Sequence, residues 1–528
     1  MFRAYSSLRT AGLAALMGTL GAATLAIGCG GLECEGQQCT DVPTDSKTGG
    51  IGSNNTDNNA GNDTGNSSND PANTVETKDD VACTPSVAPG AVKDDCGFFV
   101  KAGSEGGDGS KAKPFGTLSE AIDPALKGTK RIYVCTAPLE EKSEVKVPAG
   151  VRIYGGVDCE KDWAYVGAST KSMLSAPSGV IPMRLLAGDG VTEVHDMHVA
   201  AESAKKPGGS SIAVIAEGAK AAFVGALIEA RDAMPGTDGE AYGSGADSGK
   251  DGNPGSMACS SASVLGAEGP MNKCDDAESV GGPGGNGSAA QGGPGGSGQP
   301  GDDASMNGGE GEWGGMMCTP GQSGSNGVDG EPGKSAKELG FINAVDGYIG
   351  MIGKDGKAGK SGQGGGGGGG AKGGKSGGNK CSDKDSAGGA SGGSGASGGC
   401  GGKGGKGGGF GGSSIGIVSL GAELSFKSTV IKTGLGGPGG NGGPGQEGGK
   451  GGVGGLGGEV PDGATSLNAA CSGGSGGDGG KGGEGGKGSA GHSIGIAFRL
   501  TAPSTEGVDI QLAAPTEGGI AQGAVEFK

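Results

Sequence analysis

The stretch SIAVIAEGAKAAFVGALIEA, residues 211–230, returns far downstream as SIGIVSLGAELSFKSTVIKT, residues 414–433, without a gap. Ser211 aligns with Ser414, Ile212 with Ile415, Gly218 with Gly421, Phe223 with Phe426 and Ile228 with Ile431. SIGIAFRL from Ser493 starts a third copy, and GYIGMIG from Gly347 reads as a degenerate one. A short apolar unit repeated this way buries its face by stacking on its neighbour, one coil upon the next. Stacked coils lie ~4.8 Å apart. The copies are therefore expected to touch in space, with the sequence between them leaving one corner of the coil and returning to it.

Working outward, RIYVC at Arg131, EVKVP at Glu144, VRIYGGV at Val151 and VTEVHDMHV at Val191 are further short β-rich runs, each punctuated by turn residues. Ahead of them, CGFFVKAGSEGGDGSKAKPFGTLSEAI from Cys96 joins a strand to a polar glycine loop and an amphipathic helix burying Leu118, Ala121 and Ile122. Phe99-Val100, Gly103-Ser104, Gly109-Ser110, Pro114-Phe115-Gly116-Thr117-Leu118, Ala121-Ile122 and the YGG at Tyr154 resemble the opening of the pectin-lyase-like superfamily. The resemblance covers about Cys96 to Val199. It implies an all-β, right-handed parallel β-helix whose first coil is capped by the helix, and it says little about activity.

Between the copies the chain is dominated by glycine, 131 residues of 528. In GGPGGNGGPGQEGGKGGVGGLGGE, residues 436–459, the other residues fall at Pro438, Asn441, Pro444, Glu447, Lys450, Val453, Leu456 and Glu459, with Gln446 breaking the rule. The register recurs at Ser391, Ser394, Ser397, Cys400, Lys403 and Lys406, and at Ser475, Asp478, Lys481, Glu484 and Lys487. A helix of three residues per turn and ~3.1 Å rise would place every third residue on one edge and leave two edges of bare glycine. Neighbouring helices could then exchange backbone hydrogen bonds. The pattern resembles the polyglycine-II bundles of some glycine-rich antifreeze and phage adhesin proteins, and PGRS-like glycine-rich insertions. Glycine composition also fits a flexible coil, so an ordered bundle and a disordered insert both stand at this stage. Collagen fits less well: GQSGSNGVDGEPGKS from Gly321 keeps glycine at every third place but is short and poor in proline. A calcium β-roll fails because Gly480 stands where an apolar anchor is needed.

Arg3 and Arg9 precede an apolar run from Ala11 to Ile27, a signal-peptide pattern. It ends in LAIGC, Leu25 to Cys29, which resembles the lipobox of bacterial lipoproteins, with Ala26 where Leu is commoner. That resemblance implies lipidation of Cys29, export and attachment to a membrane through the N-terminal lipid; Gly30 after the cysteine favours the outer membrane or cell surface. The other twelve cysteines are Cys34, Cys39, Cys83, Cys96, Cys135, Cys159, Cys259, Cys274, Cys318, Cys381, Cys400 and Cys471, an even set that reads as disulfides. Cys34 with Cys39 and Cys135 with Cys159 are plausible local pairs; the remaining connectivity is open.

The expected organisation is a signal peptide over 1–28, an anchor and polar tether over 29–82, and the first part of the β-helix over 83–232. Glycine-rich insertions follow at 233–340, 354–413 and 434–491, alternating with a further coil at 341–353, a coil at 414–433 and the last β-helix part at 492–528.

The formal charge of −17 is spread among interleaved Lys, Asp and Glu, so no basic face suits nucleic acid. GGAKGGKS, Gly369 to Ser376, matches the phosphate-loop pattern but follows no strand and opens no helix, a chance match in this composition. No cysteine spacing suggests zinc, and no metal or cofactor is expected. His195 and His198 lie three apart, which puts them on opposite faces of a strand. Asp189, Glu193 and Asp196 form the one nearby acidic group, with no Arg or Lys motif of a lyase beside them. No catalytic residue is assigned. These features point to a non-enzymatic surface lipoprotein with a structural, adhesive or matrix-contact role, touching envelope polysaccharide or matrix. A carbohydrate-binding or carbohydrate-cleaving β-helix is the alternative, and ice or surface binding by a flat polyglycine bundle a distant one.

Overall fold

A computed structural model describes residues 81–528, apart from 168, 302–305, 376–380 and 383–384. Cys29, Cys34, Cys39, the signal-peptide stretch and nearly all of the expected tether lie outside the described residues.

The β-rich runs wind into a right-handed parallel β-helix with three faces, built from a seven-stranded and two six-stranded sheets. Sheet 1 stacks Phe98–Val100, Arg131–Cys135, Arg152–Asp158, Thr192–His195, Lys220–Val224 and Glu423–Lys427 in parallel, with Ala164–Tyr165 as a seventh strand antiparallel to Arg152–Asp158. Sheet 2 stacks Leu139–Glu140, Ser172–Ala176, Met197–Ala201, Leu227–Ala230, Thr429–Thr433 and Val508–Gln511. Sheet 3 stacks Val145–Val147, Met183–Leu186, Ser211–Glu217, Ser414–Leu420, Ser493–Arg499 and Ala521–Glu526. The repeat is read out residue by residue: Ser211 pairs with Ser414, Ile212 with Ile415, Phe223 with Phe426 and Ile228 with Ile431.

Inside the coil Ile132, Ile153, Val194 and Phe223 follow one another in register, and the Phe223 and Phe426 rings stack at 5.8 Å. The open upper end is closed by the helix Leu118–Lys127, which buries Leu118, Ala121, Ile122 and Ala125. Thr117 and Glu120 form a reciprocal capping box at its start, and buried Glu141 accepts from the N–H groups of Leu118 and Ser119.

Both copies of the repeat send the chain outward at the same corner, between sheets 2 and 3, after Ala230 and after Thr433. The serine that opens each copy holds the departing strand. Ser211 Oγ accepts from Arg231 N–H, Ser414 Oγ accepts from Gly434 N–H, each at 2.9 Å, and Ser493 Oγ lies 2.7 Å from Thr433 Oγ1. The stretch 341–353 is not a coil. Phe341–Asn343 and Gly347–Ile349 form an antiparallel hairpin whose Ile342 and Tyr348 cover the outer apolar residues of sheet 3, Ile215, Val418 and Ala497 among them. Its turn is tied down by Arg184, which donates to the Ala344 carbonyl at 2.7 Å while pairing with Glu144 and Glu217.

The glycine-rich sequence is ordered. Segments 233–258, 319–336, 350–374, 387–413, 434–459 and 470–492 lie side by side as one arm, and each N–H of a given edge bonds the same neighbour at every third residue. Gly437, Gly440, Gly443, Gln446, Gly449, Gly452, Gly455 and Gly458 donate in turn to Gly412, Gly409, Lys406, Lys403, Cys400, Ser397, Ser394 and Ser391. This three-residue repeat is the polyglycine-II arrangement, and it supplies the backbone partners that a coil without a hydrophobic core would lack. At ~3.1 Å per residue the segment 434–459 spans about 80 Å.

Candidate functional site

The acidic and histidine residues weighed for chemistry, none of them assigned a catalytic role, are dispersed. Glu193, on sheet 1, is held by Arg152 Nε at 3.3 Å and His195 Nε2 at 2.9 Å. Asp196 turns the corner to sheet 2 with a left-handed φ of 47°. Its buried carboxylate accepts from the Tyr165 hydroxyl at 3.0 Å, and burial holds it above the usual carboxylate range. Asp189 is exposed at another corner. Among the described residues no three His, Cys, Asp or Glu side chains gather as a metal would require.

His195 and His198 are separated by that same corner, so they sit on different sheets rather than on two faces of one strand. The His195 ring ends an external stack that runs Phe99, Tyr133, Tyr154, His195, with centroids 5.2, 5.4 and 4.8 Å apart. Trp163 and the N-terminal disulfide segment cover this stack, so it is packing rather than a sugar platform. His198 contacts Glu229 at 3.1 Å, which Lys432 also reaches; burial keeps the imidazole below its ordinary value, against the pull of Glu229. In the phosphate-loop match, Gly369 and Gly370 are buried inside the arm and Ala371 pairs with Ala390.

The arm presents the larger organised surface, and a local rule builds it. Most positions whose edge meets another segment are glycine, with small residues such as Ser391, Ser394, Ala396 and Ser397 the buried exceptions, because the backbones approach too closely for a larger side chain. A Cβ on Gly445 would lie 1.8 Å from the Gly482 oxygen. Segment 350–374 shows the rule changing along its length. It has one glycine edge at Gly353, Gly356, Gly359 and Gly362, then runs as unbroken glycine from Gly364 to Gly370, where every edge is covered. Peripheral segments need one glycine edge, which explains the collagen-like spacing from Gly321.

Exposed rows result. Pro438, Asn441, Pro444, Glu447, Lys450, Val453, Leu456 and Glu459 all face solvent, about 9 Å apart along the row. Charges cross between rows, Lys450 to Asp478, Lys481 to Glu447, Lys406 to Asp355 and Lys357 to Glu331, at 2.6–2.8 Å. N–H groups on these rows that no backbone reaches are capped by side chains of the adjoining segment. Asp238 accepts from Asn441, Asp251 from Val453, Asn326 from Asp478 and Asp329 from Lys481. Sequence reasoning missed these caps. Their signal is the Asp-Gly or Asn-Gly step repeated in peripheral segments: Asp238-Gly239, Asp251-Gly252, Asn326-Gly327, Asp329-Gly330.

Among the described residues five disulfides form: Cys83–Cys96, Cys135–Cys159, Cys259–Cys381, Cys274–Cys400 and Cys318–Cys471. The expected local pair Cys135–Cys159 joins successive coils. The last three join segments of the arm, and the set indicates an exported or extracellular setting. No helix among the described residues is long and apolar enough to cross a membrane.

No protein-family model matches the chain, and no curated protein matches it. Two crystal structures of the pectin methylesterase from Aspergillus niger, in deglycosylated and penultimately deglycosylated forms, are similar to it at 12% and 13% identity. Each match covers 27% of this chain with a TM-score of 0.19. The chain spans about half of those structures, 53% of their length. The fold stands on its own strand register.

Proposed function

We propose that this is a non-enzymatic surface protein whose β-helix is a base for a stiff glycine arm, and that the arm makes structural, adhesive or matrix contacts. The single observation that carries this reading is the arm itself. A large share of the chain is spent on a rigid element with flat, regularly spaced rows of mixed charge, while Glu193 and Asp196 are each engaged by separate partners. Rows that mix acidic, basic and small apolar residues at a regular spacing favour many weak contacts with a repetitive polymer over one tight site. Lipidation at Cys29 would attach the protein at the outer membrane or cell surface.

The test is to mix the protein with acidic and neutral polysaccharides and with cell-envelope material, then record co-sedimentation and polymer chain length from the same tubes. Binding with polymer length unchanged supports the reading. Shortened polymer contradicts it in favour of a carbohydrate-cleaving β-helix and directs mutation to Asp189, Glu193 and Asp196. Radiolabelled palmitate incorporated by the wild type and lost in Cys29→Ala supports the anchor; equal labelling of both contradicts it.

A further inference from the structure

At the corner where the chain leaves for the arm lies a groove of about 940 Å3, within the range of small-ligand sites. Three separate parts of the chain wall it: the coil turns at 178–181 and 201–212, the hairpin turn at 345–349, and Phe410 at the base of the arm. Its floor includes buried Ile212 and Tyr348, and half-exposed Ile181, Ile349 and Phe410 form apolar walls. Phe410 is wedged in place. A Cβ on Gly350 would lie 2.6 Å from the Phe410 Cβ, and one on Gly208 would lie 3.0 Å from its carbonyl oxygen.

The charges of the lining are unlike those of the chain. Lys205 and Lys206 are exposed on one wall, and neither is in an ion pair among the described residues. Of the two carboxylates that share the lining, Glu202 is neutralised by Arg231 Nη1 at 2.7 and 2.8 Å. Asp346 accepts from Asn343 Nδ2 at 3.3 Å. With Arg231 from beside the groove offsetting Glu202, the two lysines face one remaining carboxylate, Asp346, so a small positive excess sits over an apolar floor in a chain of formal charge −17.

We propose that this groove binds an amphipathic anion, an apolar chain or ring carrying a carboxylate or phosphate. The apolar part lies along Ile181, Ile349 and Phe410, and the anionic group meets Lys205 and Lys206. The site is independent of the contacts made by the rows of the arm.

Calorimetric titration of the full chain with dodecanoate, dodecyl phosphate, dodecanol and dodecyltrimethylammonium, each below its micelle threshold, tests this. One or both anions should bind at least tenfold more tightly than the alcohol or the cation, and comparing the two anions tells carboxylate from phosphate preference. Lys205→Gln with Lys206→Gln should abolish that preference and leave dodecanol binding unchanged. Phe410→Leu should weaken all apolar probes. Absence of anion binding, equal binding of dodecanol, or full anion preference in the double lysine variant would each overturn the proposal; the lysines are exposed, so that variant tests binding without disturbing packing.

Discussion

Ser394 Oγ accepts the backbone N–H of Asn253 at 2.8 Å, although the two residues lie 141 positions apart. Ser391 and Ser397 do the same for Ser256 and Lys250, so a ladder of small hydroxyls runs through the centre of the arm. All three serines are completely buried. Each supplies an acceptor that a glycine could not, and each is small enough for the spacing that glycine sets.

Ser394→Ala removes the hydroxyl acceptor without adding bulk. Asn253 itself is exposed, so water can replace the lost acceptor and the cost is that of an ordinary hydrogen bond, about 0.5–1.5 kcal/mol. The denaturant midpoint of the arm should fall accordingly, with the β-helix strands unchanged by circular dichroism.

Gly395→Ala is expected to be worse. Its Cβ would sit 1.8 Å from the Gly365 carbonyl oxygen, and that backbone is locked in the bundle. Overpacking of this kind costs about 3 kcal/mol or more. By contrast Val453→Ala, on an exposed row, should stay within about 0.5 kcal/mol. Limited proteolysis of the arm separates the two: rapid cleavage for the first, wild-type resistance for the second.

Replacing Cys318 and Cys471 together by serine releases a link spanning 153 residues, whereas Cys135 and Cys159 are 24 apart. Loop entropy assigns about 5 kcal/mol to the long link and about 3 to the short one. The arm pair should therefore lower the melting temperature more than the coil pair.

Acid should loosen the arm in two stages. His492 is buried where the arm rejoins sheet 3, with Nε2 donating to the Leu339 carbonyl at 2.9 Å and Nδ1 accepting from Ile520 N–H at 3.3 Å. Burial holds the imidazole below 6.5, so the unfolded chain takes up the proton first. The stability it contributes is present above 6.5 and is lost as pH falls below that value. Asp355 and Asp478 are held below 3.8 by Lys406 and Lys450 and by backbone N–H groups. Their contribution is present above 3.8 and is lost as pH falls through their depressed values. A melting-temperature profile from pH 8 to 2 should fall in both windows, and His492→Gln should diminish the upper step.

Much of this architecture is legible in the residues because the physics is local. The alignment of residues 211–230 with 414–433 is the strand register itself, and the third-place residues from Pro438 to Glu459 form one exposed row. Leu118, Ala121 and Ile122 face the core as their helical spacing requires. Other features depend on which segments lie beside each other, and nothing local encodes that. The partners of Cys259, Cys274 and Cys318 follow from the lateral order of the arm. The GYIGMIG stretch shares the glycine and isoleucine of a coil, yet Asn343 accepts from the N–H groups of Val345 and Asp346 and folds it into a hairpin. Glu193 and Asp196 lie three positions apart in sequence, but the backbone turns a corner at Asp196 and gives each carboxylate its own partner.

The ordered arm is the claim on which the rest depends, and amide hydrogen exchange tests it directly. Gly364–Gly370 and Ser391–Cys400 have no apolar side chains of size to protect them, so slow exchange there can come only from the inter-segment hydrogen bonds. Protection of these stretches comparable to that of Ser211–Glu217 in sheet 3 is the predicted result. Exchange at the rate of an unstructured glycine chain would contradict the arm and return these segments to flexible coil.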